Sequence, residues 1–176
     1  YKPSPWRIYV DYGYQFANVE KTFTSSIPLP EEYNMLGGEL NYHPLDSRFY
    51  FGTRLQQFSE TVRNTLVQLD YKLNLLTAVI GFKVVEQIVT VSPHAGLVFG
   101  VGGTATTKVL ASGVTSEDTF TMAISYVAGV QTIVNLKGLQ IGADAGYFMI
   151  NDQKLDATDF SFNLGGYARG LLGMKF

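Results

Sequence analysis

The chain of 176 residues contains no cysteine and only two histidines, His43 and His94. Without cysteine the protein can form no disulfide bond, no thiolate metal site and no cysteine nucleophile. Two histidines that are distant in the sequence do not make a cluster of metal ligands. We therefore expect no metal site, no cofactor and no cofactor-binding residue.

Charged residues are also scarce. Asp, Glu, Lys and Arg make up 16% of the chain, below the roughly 25% that is typical of soluble domains. The 13 Lys and Arg residues are outnumbered by 15 Asp and Glu residues, which gives a net charge of -2. Recognition of nucleic acid needs a concentrated basic surface, so this composition argues against a nucleic-acid partner.

The sequence has no run of about 18 uncharged apolar residues, the length that a transmembrane helix requires. Its longest uncharged stretch, residues 87–107, is interrupted by Ser92, Pro93, His94 and several glycines. We therefore expect no ordinary transmembrane helix.

The sequence does contain alternation with a period of two, which is typical of a β-strand with one apolar and one polar face. Every second residue from Phe160 to Phe176 is apolar or small, whereas the residues between them include Arg169 and Lys175. The same alternation is present in Trp6–Phe16. The C-terminal segment is much longer than the roughly five or six residues of a typical globular strand.

Six further segments of this kind lie between the two ends, and we predict a strand in each. They cover residues 36–42, 49–55, 67–75, 89–101, 120–134 and 139–149. In the fourth strand of the chain, the apolar set that we assign to the outer face is Val67, Leu69, Tyr71, Leu73 and Leu75. The strands number eight, and the chain length predicts one domain over residues 1–176.

One apolar segment, Leu76 to Val85, does not alternate in this way. Its residues Leu76, Val79, Ile80 and Val84 have helical spacing. An extension of either neighbouring strand or an extra strand is also compatible with the composition, but a ninth strand would place the termini on opposite sides. We therefore predict an irregular or helical connection over residues 76–85.

Two features indicate that the apolar faces point outward. The apolar sets carry aromatic residues near the strand ends, as in the aromatic girdles at two membrane interfaces. They include Trp6, Tyr14, Phe16, Tyr42, Phe49, Phe120, Tyr147, Phe160 and Phe176. The opposite faces are rich in glycine, which suits a crowded interior.

The connections support the same interpretation. Residues 43–47 and 135–138 form tight connections, whereas those near 17–32, 56–65, 103–118 and 151–158 are longer and polar. We predict an all-β fold, an eight-stranded antiparallel up-and-down transmembrane β-barrel that is apolar outside and polar inside. A soluble barrel with an apolar ligand cavity is the alternative.

These features resemble the small eight-stranded bacterial outer-membrane barrels of the OmpA/OmpX type over nearly the whole chain. The sharpest local element is the C-terminal strand, with Phe162 and Tyr167 upstream of a terminal Phe176. The resemblance implies that Phe176 is an insertion signal read by the barrel-insertion machinery. It also implies a bacterial outer-membrane location and contact with membrane lipid and lipopolysaccharide.

Charged residues on the polar faces form a candidate interior network. Its members are Arg7, Asp11, Glu39, Arg48, Arg54, Asp70, Lys72, Asp144 and Arg169. The interior of an eight-stranded barrel is just wide enough for side chains to fill it, and buried charges there must be paired. We predict a structural plug of salt bridges. The alternative is a gate whose rearrangement opens a narrow conduit.

Ser92 and His94 share a strand face, which resembles the Ser/His site of some small outer-membrane barrels that hydrolyse lipid. Such a triad is defined by geometry, and the sequence does not locate its acid. We therefore assign no catalytic residue.

The favoured function is that of a monomeric, non-enzymatic outer-membrane protein, an envelope anchor or surface-loop interaction protein with a plugged interior. A narrow channel or carrier for small or apolar solutes is the main alternative. A lipid-modifying outer-membrane enzyme is the lesser one.

Overall fold

The computed structural model describes residues 4–19, 32–122, 124–149, 153–155 and 162–176. These residues form β1 (Trp6–Val19), β2 (Glu32–Tyr42), β3 (Phe49–Arg63), β4 (Val67–Phe82), β5 (Val85–Glu86), β6 (Val89–Val109), β7 (Thr115–Met122), β8 (Ser125–Leu136), β9 (Leu139–Met149), β10 (Gln153–Leu155) and β11 (Phe162–Lys175). The predicted start of the last strand at Phe160 lies outside the described residues. Within the described ranges, no helix is long and apolar enough to cross a membrane.

Eight of these strands close into an antiparallel barrel. Hydrogen bonding runs in the order β1, β2, β3, β4, β6, β8, β9 and β11, and β11 pairs back onto β1. The other three extend the wall, because β5 and β7 pair with β6, and β10 pairs with β7. The eight-stranded up-and-down barrel predicted from the alternation is therefore confirmed.

One end of the barrel, which we call the turn end, carries short connections. They are residues 43–48, 83–84, 87–88 and 137–138, and both Trp6 and Phe176 lie beside them. Lys137 and Gly138 reverse the chain in two residues with φ of 46° and 104°, as a tight hairpin turn requires. We call the opposite end, where β1 and β9 finish, the loop end.

The prediction for residues 76–85 is wrong. β4 continues without a break to Phe82, and it pairs with β3 as far as Phe82 and with β6 as far as Gly81. Leu76 and Ile80 lie on the outer face, whereas Val79 points inward and is buried. A strand that is apolar on both faces reads as an unbroken apolar run, which periodicity cannot separate from a helix.

The predicted orientation of the first half of β4 is also wrong. Its large apolar side chains point into the barrel and are at most 8% exposed; they are Leu69, Tyr71, Leu73 and Leu75. Asp70 and Lys72 consequently lie on the outer wall rather than in the interior. The reason is that the part of the wall formed by β2, β3 and β4 is polar outside and apolar inside near the loop end, the reverse of its half near the turn end.

A β-bulge in β6 matches this reversal. Leu75 pairs with Gly100 and Asn74 pairs with Gly102, so Val101 is left over between them. Gly102 has a φ of 150°, which a residue with a side chain rarely adopts. Before the bulge the even-numbered residues of β6, such as Val98, point inward. Beyond it the odd-numbered residues point inward, so that Ala105 is buried inside the barrel.

The orientation of β4 can be tested by cysteine labelling, because the native chain has no cysteine. In the folded protein, Lys72→Cys should react with a charged maleimide about tenfold or more faster than Leu73→Cys, since only the first side chain reaches water. The two variants should react alike in urea. Faster labelling of Leu73→Cys in the folded state would contradict this orientation.

Candidate functional site

Charged side chains fill the middle of the barrel. Asp11 on β1, Glu39 on β2, Arg54 on β3, Asp144 on β9 and Arg169 on β11 are each at most 3% exposed. Strand alternation points each of them inward, and the closure of the sheet brings them together. We call these five residues the central cluster.

Arg169 contacts all three carboxylates of the central cluster. Its Nη1 lies 3.1 Å from Asp11 Oδ2, and its Nε lies 2.9 Å from Asp144 Oδ2. Its Nη2 donates to both Glu39 Oε2 and Asp144 Oδ2. The planar guanidinium, with donors on three nitrogens, suits this divergent arrangement in a way that a lysine ammonium would not.

Arg54 binds two of the same carboxylates from another direction. Its Nε lies 2.9 Å from Glu39 Oε2, and its Nη2 lies 3.2 Å from Asp144 Oδ2. Because Glu39 and Asp144 are on strands that do not neighbour each other, the two arginines cross-link separate parts of the wall.

Neutral amides complete the coordination of the carboxylates. Asn41 donates to Glu39 Oε1 at 2.6 Å, and Gln56 donates to Asp11 Oδ1 at 3.1 Å. Sequence analysis did not assign these two residues to the interior network, because that network was predicted from charged residues only. Their positions on the inner parity of β2 and β3, two residues from Glu39 and Arg54, were the available signal.

His94 joins the central cluster through Asp144. Its Nε2 lies 2.8 Å from Asp144 Oδ1, and the Tyr167 hydroxyl donates to the same oxygen at 3.1 Å. Asp144 is thus an acidic neighbour for His94 that the sequence did not reveal. Its second oxygen is shared by Arg54 and Arg169, and Ser92 and His94 are buried. This environment is that of an ion-pair network.

Four of the nine predicted network residues lie outside the central cluster. Arg7 is buried at the turn end, whereas Arg48 is exposed in the turn before β3. Asp70 and Lys72 lie on the outer wall, because the first half of β4 has the reverse orientation. For Arg48, Asp70 and Lys72 the predicted position in the interior is wrong. The prediction used the alternation along each strand, which does not give the height of a residue along the barrel.

An apolar layer fills the barrel between the central cluster and the loop end. It consists of Tyr33, Met35, Phe58, Leu69, Tyr71, Leu73, Leu75, Val98, Ala105, Val127, Phe148 and Tyr167. Phe148 packs edge-on against Phe58, with ring centroids 6.0 Å apart, and lies 5.0 Å from the ring of Tyr167. Because Tyr167 also binds Asp144, the apolar layer and the central cluster are in direct contact.

A second cluster of polar side chains lies at the turn end. Lys83 Nζ binds the two oxygens of Glu86 at 2.8 and 2.9 Å, and Arg7 Nη2 lies 3.9 Å from the same carboxylate. His43 stacks on Tyr50, with ring centroids 4.9 Å apart. Burial of the imidazole, together with the nearby charges of Arg7 and Lys83, lowers the pKa of His43 to about 3.

Removal of Arg169 should destabilise the barrel strongly, because Asp11 would lose its ion pair, and Glu39 and Asp144 would share Arg54 alone. We expect Arg169→Met to lose about 3–5 kcal/mol of unfolding free energy, measured by urea titration. The exposed Arg63→Met should lose about 0.5 kcal/mol or less. Adding Asp11→Asn to Arg169→Met should recover part of the loss, since Asp11 pairs with Arg169, whereas Glu39 and Asp144 keep their contacts with Arg54. An Arg169→Met variant as stable as Arg63→Met would contradict the role of the cluster.

The buried His43 should make stability depend on pH. Its folded-state pKa is lowered to about 3, so the unfolded chain takes up this proton first, as pH falls below the ordinary value near 6.5. Stability should therefore decline from pH 6.5 towards pH 3. Below pH 6.5, His43→Gln should show a slope shallower by up to about 1.4 kcal/mol per pH unit. Equal slopes in both proteins would show that His43 is not held neutral.

Comparison with known proteins gives a structural match and no sequence match. No protein-family model matches the chain, and no curated protein matches its sequence. Neisserial surface protein A (NspA) superposes over 100% of both chains with a TM-score of 0.61 at 15% identity. Ail, the attachment invasion locus protein of Yersinia pestis, was solved with the heparin analogue sucrose octasulfate. It superposes over 97% of both chains with a TM-score of 0.55 at 16% identity.

Both proteins are small outer-membrane barrels of eight strands. At this level of identity the match concerns the fold, and it agrees with the closed barrel, the apolar outer band and the polar interior found in the chain itself. The chain therefore has the fold of the small eight-stranded outer-membrane β-barrels, as the alternation in its sequence predicted.

Proposed function

We propose that the protein is a non-enzymatic scaffold in the outer membrane of a Gram-negative bacterium, with an interior that is closed to solutes. The observation that carries this proposal is the stacking of two filled layers inside the barrel. The central cluster occupies its middle, and the apolar layer lies above it towards the loop end. A solute moving along the axis would have to displace both.

The outer surface supports the membrane location. On β1, the side chains of Ile8, Val10 and Tyr12 are each 44% or more exposed, although they are apolar or aromatic. Exposed apolar residues of this kind continue around the wall, as an outer face in contact with lipid requires. Aromatic pairs such as Trp6 with Tyr42 and Phe49 with Phe82 lie at the turn end, where an interfacial girdle is expected.

The two ends of the barrel have different partners in this proposal. The turn end faces the periplasm, and Phe176 at its edge is the signal for the barrel-insertion machinery. The loop end rises above the lipid, because outer residues there, such as Asn34, Gln57 and Lys72, are polar and exposed. Lipopolysaccharide would surround this rising wall. The loops would supply the contacts of a monomeric anchor or surface interaction protein.

The buried position of the Ser/His pair supports a non-enzymatic role. Ser92 and His94 are 3% and 5% exposed, and the acid beside His94 is held by two arginines. A lipid substrate would have to enter the barrel to reach them. Phospholipid turnover in vesicles should accordingly be the same with the wild-type protein, with Ser92→Ala and without protein.

The closed interior can be tested by single-channel recording in a planar lipid bilayer. The wild-type protein should insert without producing conductance steps, because both layers exclude water and ions. Arg54→Ala combined with Phe148→Ala removes one large side chain from each layer, and this variant should produce small steps. A shift in gel mobility on boiling would show that both proteins are folded.

Defined conductance steps from the wild-type protein would contradict the proposal. They would favour the narrow channel, in which the arginines of the central cluster exchange carboxylate partners. If the double variant folds correctly and produces no conductance steps, the two layers are not the barrier to ions.

A further inference from the structure

Four cationic side chains converge on one cavity at the turn end. The cavity has a volume of about 310 Å3 and is lined by Arg7, Arg48, Lys83 and Lys175. We propose that this cavity is a binding site for a phosphate group, either as free phosphate or as part of a lipid headgroup. The site is separate from the central cluster and does not depend on the scaffold function proposed above.

The backbone holds the segments that carry these cations in fixed positions. The amide of His43 donates to the carbonyl of Pro5 at 2.7 Å, which ties the turn after β2 to the start of β1. The amide of Lys83 donates to the carbonyl of Arg48, also at 2.7 Å. The backbone segments that carry Arg48 and Lys83 are therefore held together before any ligand arrives, which lowers the entropic cost of binding.

The net charge of the residues that line the cavity is positive and suits a doubly charged anion. Against the four cations, the lining contains two acidic residues, Asp46 and Glu86. Glu86 is bound by Lys83 and is also close to Arg7, so one carboxylate serves two cations. The excess of two positive charges matches a phosphate monoester, which carries roughly -1.5 to -2 at pH 7.

A buried histidine provides an independent indication of a ligand. His43 also lines the cavity and is 8% exposed, and neither of its ring nitrogens has a hydrogen-bond partner among the described residues. A neutral imidazole offers one N–H donor and one acceptor, and leaving both unpaired in a buried place costs free energy. A phosphate oxygen would accept from the N–H group.

Ser47 can add a further donor. Its hydroxyl oxygen accepts a hydrogen bond from the amide of Phe49 at 3.0 Å, so the hydroxyl proton can point into the cavity. Guanidinium, ammonium, imidazole and hydroxyl donors together form the kind of mixed set that binds phosphate oxygens.

The size and position of the cavity are compatible with two sources of the phosphate group, a lipid headgroup and free phosphate. Its volume is about that of ten water molecules, which is larger than one phosphate needs. Arg48 and Lys175 are exposed at its edge, and Leu45 beside them is 55% exposed. A lipid headgroup could therefore enter from the membrane surface, and free phosphate could enter from solution.

The test uses the folded full chain in maltoside micelles, which contain no phosphate. Calorimetric titrations would use inorganic phosphate, up to about 10 mM, and separately a short-chain phosphatidic acid. The test variant is Arg48→Gln combined with Lys175→Gln, because both side chains are exposed and the barrel should fold without them. The control is Lys137→Asn, which removes a cation from the same end outside the cavity, and Asn accepts the positive φ found there.

At least one of the two ligands should bind the wild-type protein, and its Kd should rise about tenfold or more in the double variant. The control should bind as the wild type does, and Glu86→Gln should bind more tightly because it frees Lys83 and Arg7. Binding of inorganic phosphate would identify free phosphate as sufficient, whereas binding of the lipid alone would identify the headgroup as the source.

Two results would overturn the proposal. One is that neither ligand binds the wild-type protein. The other is that the double variant binds as tightly as the Lys137→Asn control, since the cations of the cavity would then contribute nothing. The ring signals of His43 in NMR spectra provide a local check, because a ligand in the cavity must shift them.

Discussion

The pairing of buried charge in a narrow lumen is the constraint on which this barrel depends. Eight strands leave an interior that side chains must fill, and a charge placed there is tolerated only with partners. Arg54 and Arg169 meet this requirement, since both contact the Glu39 and Asp144 carboxylates and Arg169 also contacts Asp11. These five residues come from five strands, so the network that satisfies the charges also ties the wall together across the lumen.

The second organising feature is the exchange of polar and apolar faces along the axis. Near the turn end the outer face is apolar and the interior is polar, as in a membrane barrel. On β3 and β4 near the loop end, Leu73 and Phe58 are buried inside while Lys72 and Gln57 face outward, as in a soluble barrel. The bulge at Val101 shifts the register of β6 at this transition. The outer surface therefore defines where the surrounding lipid should end.

Alternation in the sequence was sufficient to predict the barrel, the number of strands that close it and the outer faces of β1, β2, β9 and β11. It failed in β4 because alternation identifies two faces without saying which one meets lipid, and that answer changes along the strand. The same limit explains why Asp70 and Lys72 were assigned to the interior. Lys83 was missed because it lies in the segment predicted as a connection. Contacts between distant strands, such as that of His94 with Asp144, follow from closure and have no local signal.

These features together describe a barrel whose interior excludes water at the level of the two arginines. The most direct measurement of this claim is solvent exchange of the Nε protons of Arg54 and Arg169, followed by NMR on the folded protein in D2O. Because they are paired and buried, the signals of these protons should disappear far more slowly than that of exposed Arg63. Exchange at the rate of Arg63 would mean that water reaches the cluster and that the interior is open.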